Sequence, residues 1–296
     1  MSGPRTANTV YLTPHGVRTV RHSVRYKGPI IARPPRLAEL IDEIADWDIA
    51  CPDEARALNL KIIPGTSPIL VINYRTPPAL SRQFGAAVSR QPVHRRFATK
   101  LHRGLVSVEP GGALGVIAIR LRAEAAATVL GGRMLDFFDA QIALDDLFRE
   151  SQVRQLEDIL AHAQSSAERF VVVEKFLSVC ERPQKVDMAT ARAAALLRRC
   201  PQLRVRQLAA RLDISERQLL RNFRREFGVG TKQFARIARI ERAMAARARG
   251  AAWGDVAYNL GFSDQAHMIN EFDEIVGVSP TELIGTQAHF EDRVRS

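Results

Sequence analysis

The sequence predicts an α+β chain: a small N-terminal β-barrel or sandwich with appended helices, then an all-α domain of two helix-turn-helix units joined by a linker helix. Three observations predict it. Short, β-branched apolar runs bounded by Gly or Pro crowd the first half of the 296 residues. After about residue 124 they give way to apolar residues at helical spacing. Finally, a helix, tight turn, helix layout occurs twice beyond residue 187. At about 100–200 residues per domain, this length suits two domains.

Residues 1–28 are polar and basic (Arg18, Arg21, Arg25, Lys27) with little apolar periodicity, and read as a flexible basic arm. It is either a solvated tail or a grip on phosphates. An N-terminal domain is assigned to 29–181. It opens with Leu37, Leu40, Ile41 and Ile44, whose spacing predicts a short amphipathic helix running to about Trp47. Strands are predicted at 68–74, 104–108 and 113–121. Helices follow at 153–163, with Leu156, Ile159 and Leu160 inward, and at 167–179, with Phe170, Val173, Phe176 and Leu177 inward. Such appended helices suit a homodimer contact. Pro183 in the charged stretch 181–185 marks the linker.

Lys and Arg number 43 against 32 Asp and Glu, a net +11, so a polyanionic partner is expected. Aromatic residues are only 6%, which favours helices docking on duplex DNA over stacking platforms for single strands. Cys51, Cys180 and Cys200 are widely spaced, without a C-x-x-C pair, and are expected to be reduced and mostly buried. No run of 18 apolar residues occurs and the start lacks an apolar signal segment, so a cytoplasmic chain without a membrane partner is expected.

The first helix-turn-helix unit is read in 205–223. Ser215 with Gln218 three residues on forms a capping box that opens its second helix. Leu219, Phe223 and Phe227 make the buried stripe, leaving Arg217, Arg221, Arg224 and Arg225 on other faces. Such a helix suits the major groove, the alternative being arginines that are merely solvated. The layout then recurs in 256–272, Ala257 matching Ala209 and Met268 matching Leu219, with a turn one residue longer. Glycines close both, in Phe227-Gly228-Val229 and Val276-Gly277-Val278. Between them, Phe234, Ile237, Ile240 and Met244 predict a helix over 231–249, about 28 Å long at 1.5 Å per residue. That length can set two recognition helices about one DNA turn, roughly 34 Å, apart.

Residues 187–287 resemble the DNA-binding domain of the AraC/XylS family of bacterial transcription regulators. The resemblance rests on Leu208-Ala209, Leu212, Ser215-x-x-x-Leu219-x-Arg221-x-Phe223 and Gly228 in the first unit. In the second it rests on Ala257-Tyr258, Gly261-Phe262-Ser263-Asp264-Gln265, Phe272 and Gly277-Val278-Ser279-Pro280. It implies double-stranded DNA as partner, with recognition helices at about 215–227 and 264–276 in successive major grooves. By it, Arg217, Leu220 and Arg221 face bases, Ser215 opens the helix, and Gln265, Ala266, Ile269 and Asn270 are the second unit's counterparts. Arg224 and Arg225 suit phosphates. The chain departs from the family at Asn270, where Arg is common, and at Asp273 and Glu274, where basic residues are common. The second unit is therefore expected to bind more weakly, or by shape. Gly230-Thr231, in place of Ser-Pro, is expected to alter only a helix start.

Residues 34–181 more loosely resemble the sensor domains of such regulators, in a version with a helix before the barrel, through Pro64-Gly65-Thr66, 115–121 and Leu144-Asp145-Asp146-Leu147. The resemblance implies a small-molecule effector, a homodimer and RNA polymerase as a further candidate partner, with an activator the expected type. The alternative is a ligand-independent regulator whose N-terminal domain serves only dimerisation or protein contacts. His94 and His102 stand apart from other metal donors, and no P-loop, dinucleotide fingerprint or Gly-x-Ser-x-Gly elbow occurs. Neither an enzyme nor a metal site nor a cofactor is expected. The run His94-Arg95-Arg96 is either a solvated face or an anion pocket, and Trp47 and Phe84 are expected in the core.

Overall fold

The computed structural model describes residues 8–13, 16–19, 28–91, 94–99, 101–130, 141–180 and 187–283. The first half forms two six-stranded sheets. In chain order its elements are β1 (Asn8–Thr13), β2 (Gly16–Thr19), β3 (Ile30–Ala32), β4 (Ile41–Ile49), α1 (Pro52–Arg56), β5 (Leu58–Ile62), β6 (Ile69–Asn73), β7 (Ala79–Phe84) and β8 (Ala87–Arg90). There follow β9 (Arg96–Thr99), β10 (Leu105–Glu109), β11 (Leu114–Leu121), α2 (Ala126–Leu130) and β12 (Gln141–Ala143). One sheet runs β2-β1-β5-β10-β7-β8 and the other β12-β9-β6-β11-β4-β3. The segment read as a loose arm thus contributes two strands, β1 pairing parallel to β5 and antiparallel to β2.

The helix expected from 37 to 47 is corrected to a 3-10 turn at Pro35–Leu37 followed by β4. The reason is burial on both faces: β4 lies between β3 and β11, sending Ile41 and Ile44 into one apolar cluster and Ala45, Trp47 and Ile49 into another. A strand buried on both faces loses its alternation, and the remaining apolar run imitates a helical stripe. Trp47 is core as expected, whereas Phe84 is 40% exposed at the end of β7. The cysteine expectation is also corrected, since Cys51 is exposed and Cys200 half-buried.

Helices α3 (Glu150–His162) and α4 (Ser166–Cys180) pack on the second sheet through Val153, Leu156, Leu160, Phe170, Val173, Phe176 and Leu177. Ile159, expected inward, is exposed. Arg169 ties the pair to the sheet. Its buried guanidinium contacts Asp46 and Asp48 at 2.9 Å each and donates to Leu160 O and Ala163 O at the end of α3. The expected linker, 181–185, lies outside the described residues.

The second half is helical: α5 (Met188–Arg199), α6 (Val205–Leu212), α7 (Glu216–Phe227), α8 (Thr231–Ala248), α9 (Trp253–Asn259) and α10 (Gln265–Val276). Phe234, Ile237, Ile240 and Met244 of α8 are buried at the predicted spacing. α8 begins at Thr231 with Gly230 as its N-cap. The halves share one apolar cluster, in which Ile63, Leu101, Leu105 and Ala123 of the first join Ala193, Leu197, Phe234 and Phe272 of the second.

Candidate nucleic-acid interface

Each helix-turn-helix unit is built from local signals. In the first, Asp213 ends α6 in the left-handed conformation (φ 54°), and the Ile214 N–H bonds back to Ala209 O at 3.2 Å. In the second, Gly261 takes the same role (φ 71°) and the Phe262 N–H bonds to Ala257 O at 3.0 Å. The matching of Ala209 with Ala257 is thus a matching of hydrogen bonds. Ser215 Oγ accepts from the Gln218 N–H at 3.2 Å, and Asp264 accepts from the His267 N–H at 2.7 Å, capping α7 and α10 respectively. The His267 N–H also holds the Asp264 carboxyl below its usual range. Both helices end on left-handed glycines, Gly228 and Gly277.

Helix α7 buries Leu219, Phe223 and Phe227 and exposes Arg217, Leu220, Arg221, Arg224 and Arg225. Residues 217, 220, 221 and 224 recur at helical spacing and so share a face. Arg217, Arg221 and Arg224 form no ion pair with any described residue, while Arg225 pairs with Glu226 at 3.2 Å. Three unpaired guanidiniums on a capped helix present planar, forked donors outward, the geometry that meets guanine edges and phosphates.

The inward stripe of α7 also carries polar residues that pattern reading missed. Buried Asn222 donates to Asp187 Oδ2 at 2.7 Å, and Asp187 caps α5 through Ala189 N and Thr190 Oγ1. Burial alone would raise the Asp187 carboxyl, but these donors together hold it below its ordinary value. Glu226 alongside is pushed up, chiefly by burial. The available clue was position: Asn222 sits three residues after Leu219, on the face that should be apolar.

On α10, Gln265, Ala266 and Asn270 are exposed and Ile269 is half-buried. Two acidic residues of α10, Glu271 and Glu274, the latter one of those that depart from the family pattern, are answered within the chain. Glu271, buried, faces Arg236 at 3.8 Å, Arg239 at 3.6 Å and His267 at 3.7 Å, and Glu274 pairs with Arg236. The linker helix α8 therefore supplies the positive charge that neutralises the inner side of α10. Tyr258 of α9, which sequence reading assigned only to the family pattern, is 85% exposed.

A cavity of about 100 Å³ lies between the two sheets, walled by Trp47, Val71, Phe97, Val106 and Val116. His94, His102 and Arg82 also reach it. Asn73 Oδ1 and Gln141 Oε1 on its wall are buried acceptors without a hydrogen-bond partner among the described residues. No group of three or more His, Cys, Asp and Glu among the described residues is placed to hold a metal ion. None of their helices is long and apolar enough to cross a membrane.

Two capped helix-turn-helix units on one scaffold helix define the architecture of a helix-turn-helix DNA-binding domain. Residues 208–285 match the family model described as a helix-turn-helix domain. Among solved structures, ToxT from Vibrio cholerae is 10% identical, with 88% of this chain and 99% of that chain covered at a TM-score of 0.44. ToxT with bound unsaturated fatty acid is also 10% identical, at 90% and 98% coverage and a TM-score of 0.42. The AraC-like transcriptional activator CuxR is 16% identical, at 74% and 81% coverage and a TM-score of 0.28. No curated protein matches the sequence.

Proposed function

We propose that the chain is a DNA-binding transcription regulator of the AraC type that reads two half-sites on one face of duplex DNA, with α7 and α10 in successive major grooves and the first unit supplying most of the affinity. The observation that carries the reading is the exposed face of α7, where Arg217, Arg221 and Arg224 project without ion-pair partners among the described residues. Arg217 and Arg221 donate in pairs to guanine O6 and N7, Leu220 meets a thymine methyl, and Arg224 and Arg225 hold phosphates. Gln265, Ala266, Ile269 and Asn270 face the second half-site with less charge. The 18 residues of α8 span about 27 Å, the right order for helices one DNA turn apart. The test is selection of duplexes from a random pool followed by base substitution in each half-site. Two conserved blocks about 10 base pairs apart support the reading; a single block contradicts it.

Control by a small-molecule effector is favoured over a purely dimerising N-terminal domain by the cavity between the sheets. Its apolar walls with two unsatisfied acceptors suit a small apolar molecule carrying hydroxyl or amine donors. A thermal-shift screen of such compounds, repeated on Val116→Trp to fill the cavity, tests it: stabilisation must vanish in the variant. Homodimerisation is assigned to α3 and α4, where Ile159, Val171 and Val179 are exposed. RNA polymerase is the further partner a transcription regulator on promoter DNA can meet.

A further inference from the structure

The two recognition helices end differently. The last carbonyls of any helix lack intrahelical donors and must find others. At the end of α7, Gly228 N–H bonds to Arg224 O at 2.8 Å, within its own unit. The end of α10 makes the same bond, from the Gly277 N–H to Asp273 O at 3.0 Å, and in addition two of its carbonyls are satisfied by the N-terminal domain. The Gly104 N–H donates to Ile275 O at 2.8 Å, and the Gly85 N–H donates to Gly277 O at 2.9 Å.

Three glycines make this approach feasible. Gly85 (φ 59°), Gly104 (φ 85°) and Gly277 (φ 78°) all lie in the left-handed region. A Cβ at Gly277 would stand 2.7 Å from Phe84 Cα and 3.0 Å from Gly85 N, and one at Gly104 would stand 2.6 Å from Gln83 O. At Gly277 backbone meets backbone across the contact, with no room for a side chain, whereas at Gly85 the left-handed backbone alone favours glycine. Arg103 lies over the Phe84 ring at 5.5 Å, tying the β7–β8 turn to the loop before β10.

We propose that the β7–β8 turn and the 102–104 loop form a clasp that positions the second recognition helix, so that reading of the second half-site depends on the N-terminal domain. This rests on the proposal that α10 enters DNA. Gly85 and Gly104 are positioning residues, since they cap the helix from behind while its N-terminal residues face bases. The clasp is also continuous with the cavity, because Arg82 and His102 on the cavity wall lie three and two residues from Gly85 and Gly104. Whatever moves those walls moves the cap of α10.

The test uses the full-length protein on a duplex that the unmodified chain selects from random sequence, with hydroxyl-radical footprints titrated separately at each half-site. Gly104→Ala crowds Gln83 O of β7 and so displaces the loop whose N–H holds Ile275 O, while Gly277→Ala crowds Phe84 and Gly85 from the helix side. Gly228→Ala imposes the same left-handed strain at the end of α7. Gly104→Ala and Gly277→Ala are expected to weaken protection of the second half-site on the order of tenfold, the equivalent of one or two lost hydrogen bonds, leaving the first unchanged. Thermal unfolding of each variant separates this from general destabilisation, which lowers both half-sites together. Unchanged or tightened second-site protection in Gly104→Ala overturns the clasp, as does equal loss at both half-sites. If the unmodified chain selects no duplex, the DNA-reading proposal itself fails and the clasp with it.

Discussion

Thr66, in the loop before β6, holds both carboxylate oxygens of Glu241, 175 residues further along in the middle of α8: its N–H donates at 2.5 Å and its hydroxyl at 2.8 Å. Both residues are buried. This pair, with Arg198 between Asp42 and Glu124 at 3.5 Å each, seats the helical domain on the barrel. Burial pushes the Glu241 carboxyl up, more than nearby Arg198, the Thr66 donors and Arg120 pull it down.

A pH dependence follows from that direction. A carboxyl raised in the folded state favours folding while protonated, so its contribution is full below the ordinary glutamate value of 4.5 and is lost as pH rises through the raised value. Glu241→Gln keeps the shape and an acceptor for the Thr66 N–H without the charge. It is expected to raise Tm at neutral pH by about 2–4 °C and to flatten the fall of Tm with rising pH. Thermal unfolding across the acid-to-neutral range measures both.

Phe223 is the centre of the first unit's core. Its ring lies 4.5 Å from Phe227 and 5.2 Å from Phe234, joining α7 to α8. Phe223→Ala is expected to cost about 3–5 kcal/mol, read as a lower urea midpoint, because the cavity left is walled by rigid helices. A loss under about 1 kcal/mol contradicts this packing.

Arg169 is expected to behave as a buried charge with dependent partners. Asp46 beside it is fully buried and also accepts from Tyr74 Oη at 2.7 Å. Arg169→Met leaves that carboxylate uncompensated, at about 3–5 kcal/mol. Adding Asp46→Asn is expected to recover part of the loss, and a double-mutant cycle by urea unfolding shows whether it does.

The helical half was legible because its signals are local. Ser215, Gly228 and the stripe Leu219, Phe223, Phe227 each act within a few residues, and the structure has the helix they predict. The same holds for α8 and α10. β4 was misread because both faces are buried, which removes the alternation that identifies a strand. Phe84 and Ile159 were expected inside because composition shows what can be buried, not which face has a neighbour. The contacts between the halves were illegible for another reason. Gly85 and Gly104 act through backbone N–H groups that every non-proline residue carries, on a partner far away in sequence. Only Glu241, a carboxylate one residue after Ile240 in a buried stripe, hinted at a distant donor.

The central claim is that the exposed arginines of α7 read duplex DNA, and it is tested most directly by measuring binding to the selected duplex at two salt concentrations, for the unmodified chain beside Arg221→Ala and Asn270→Ala. Sequence-specific binding that falls steeply with salt is expected. Arg221→Ala is expected to lose about 1–3 kcal/mol, roughly tenfold or more in Kd, and Asn270→Ala clearly less. Binding no tighter than to random competitor at low salt, or an Arg221→Ala variant that binds as well as the unmodified chain, contradicts it.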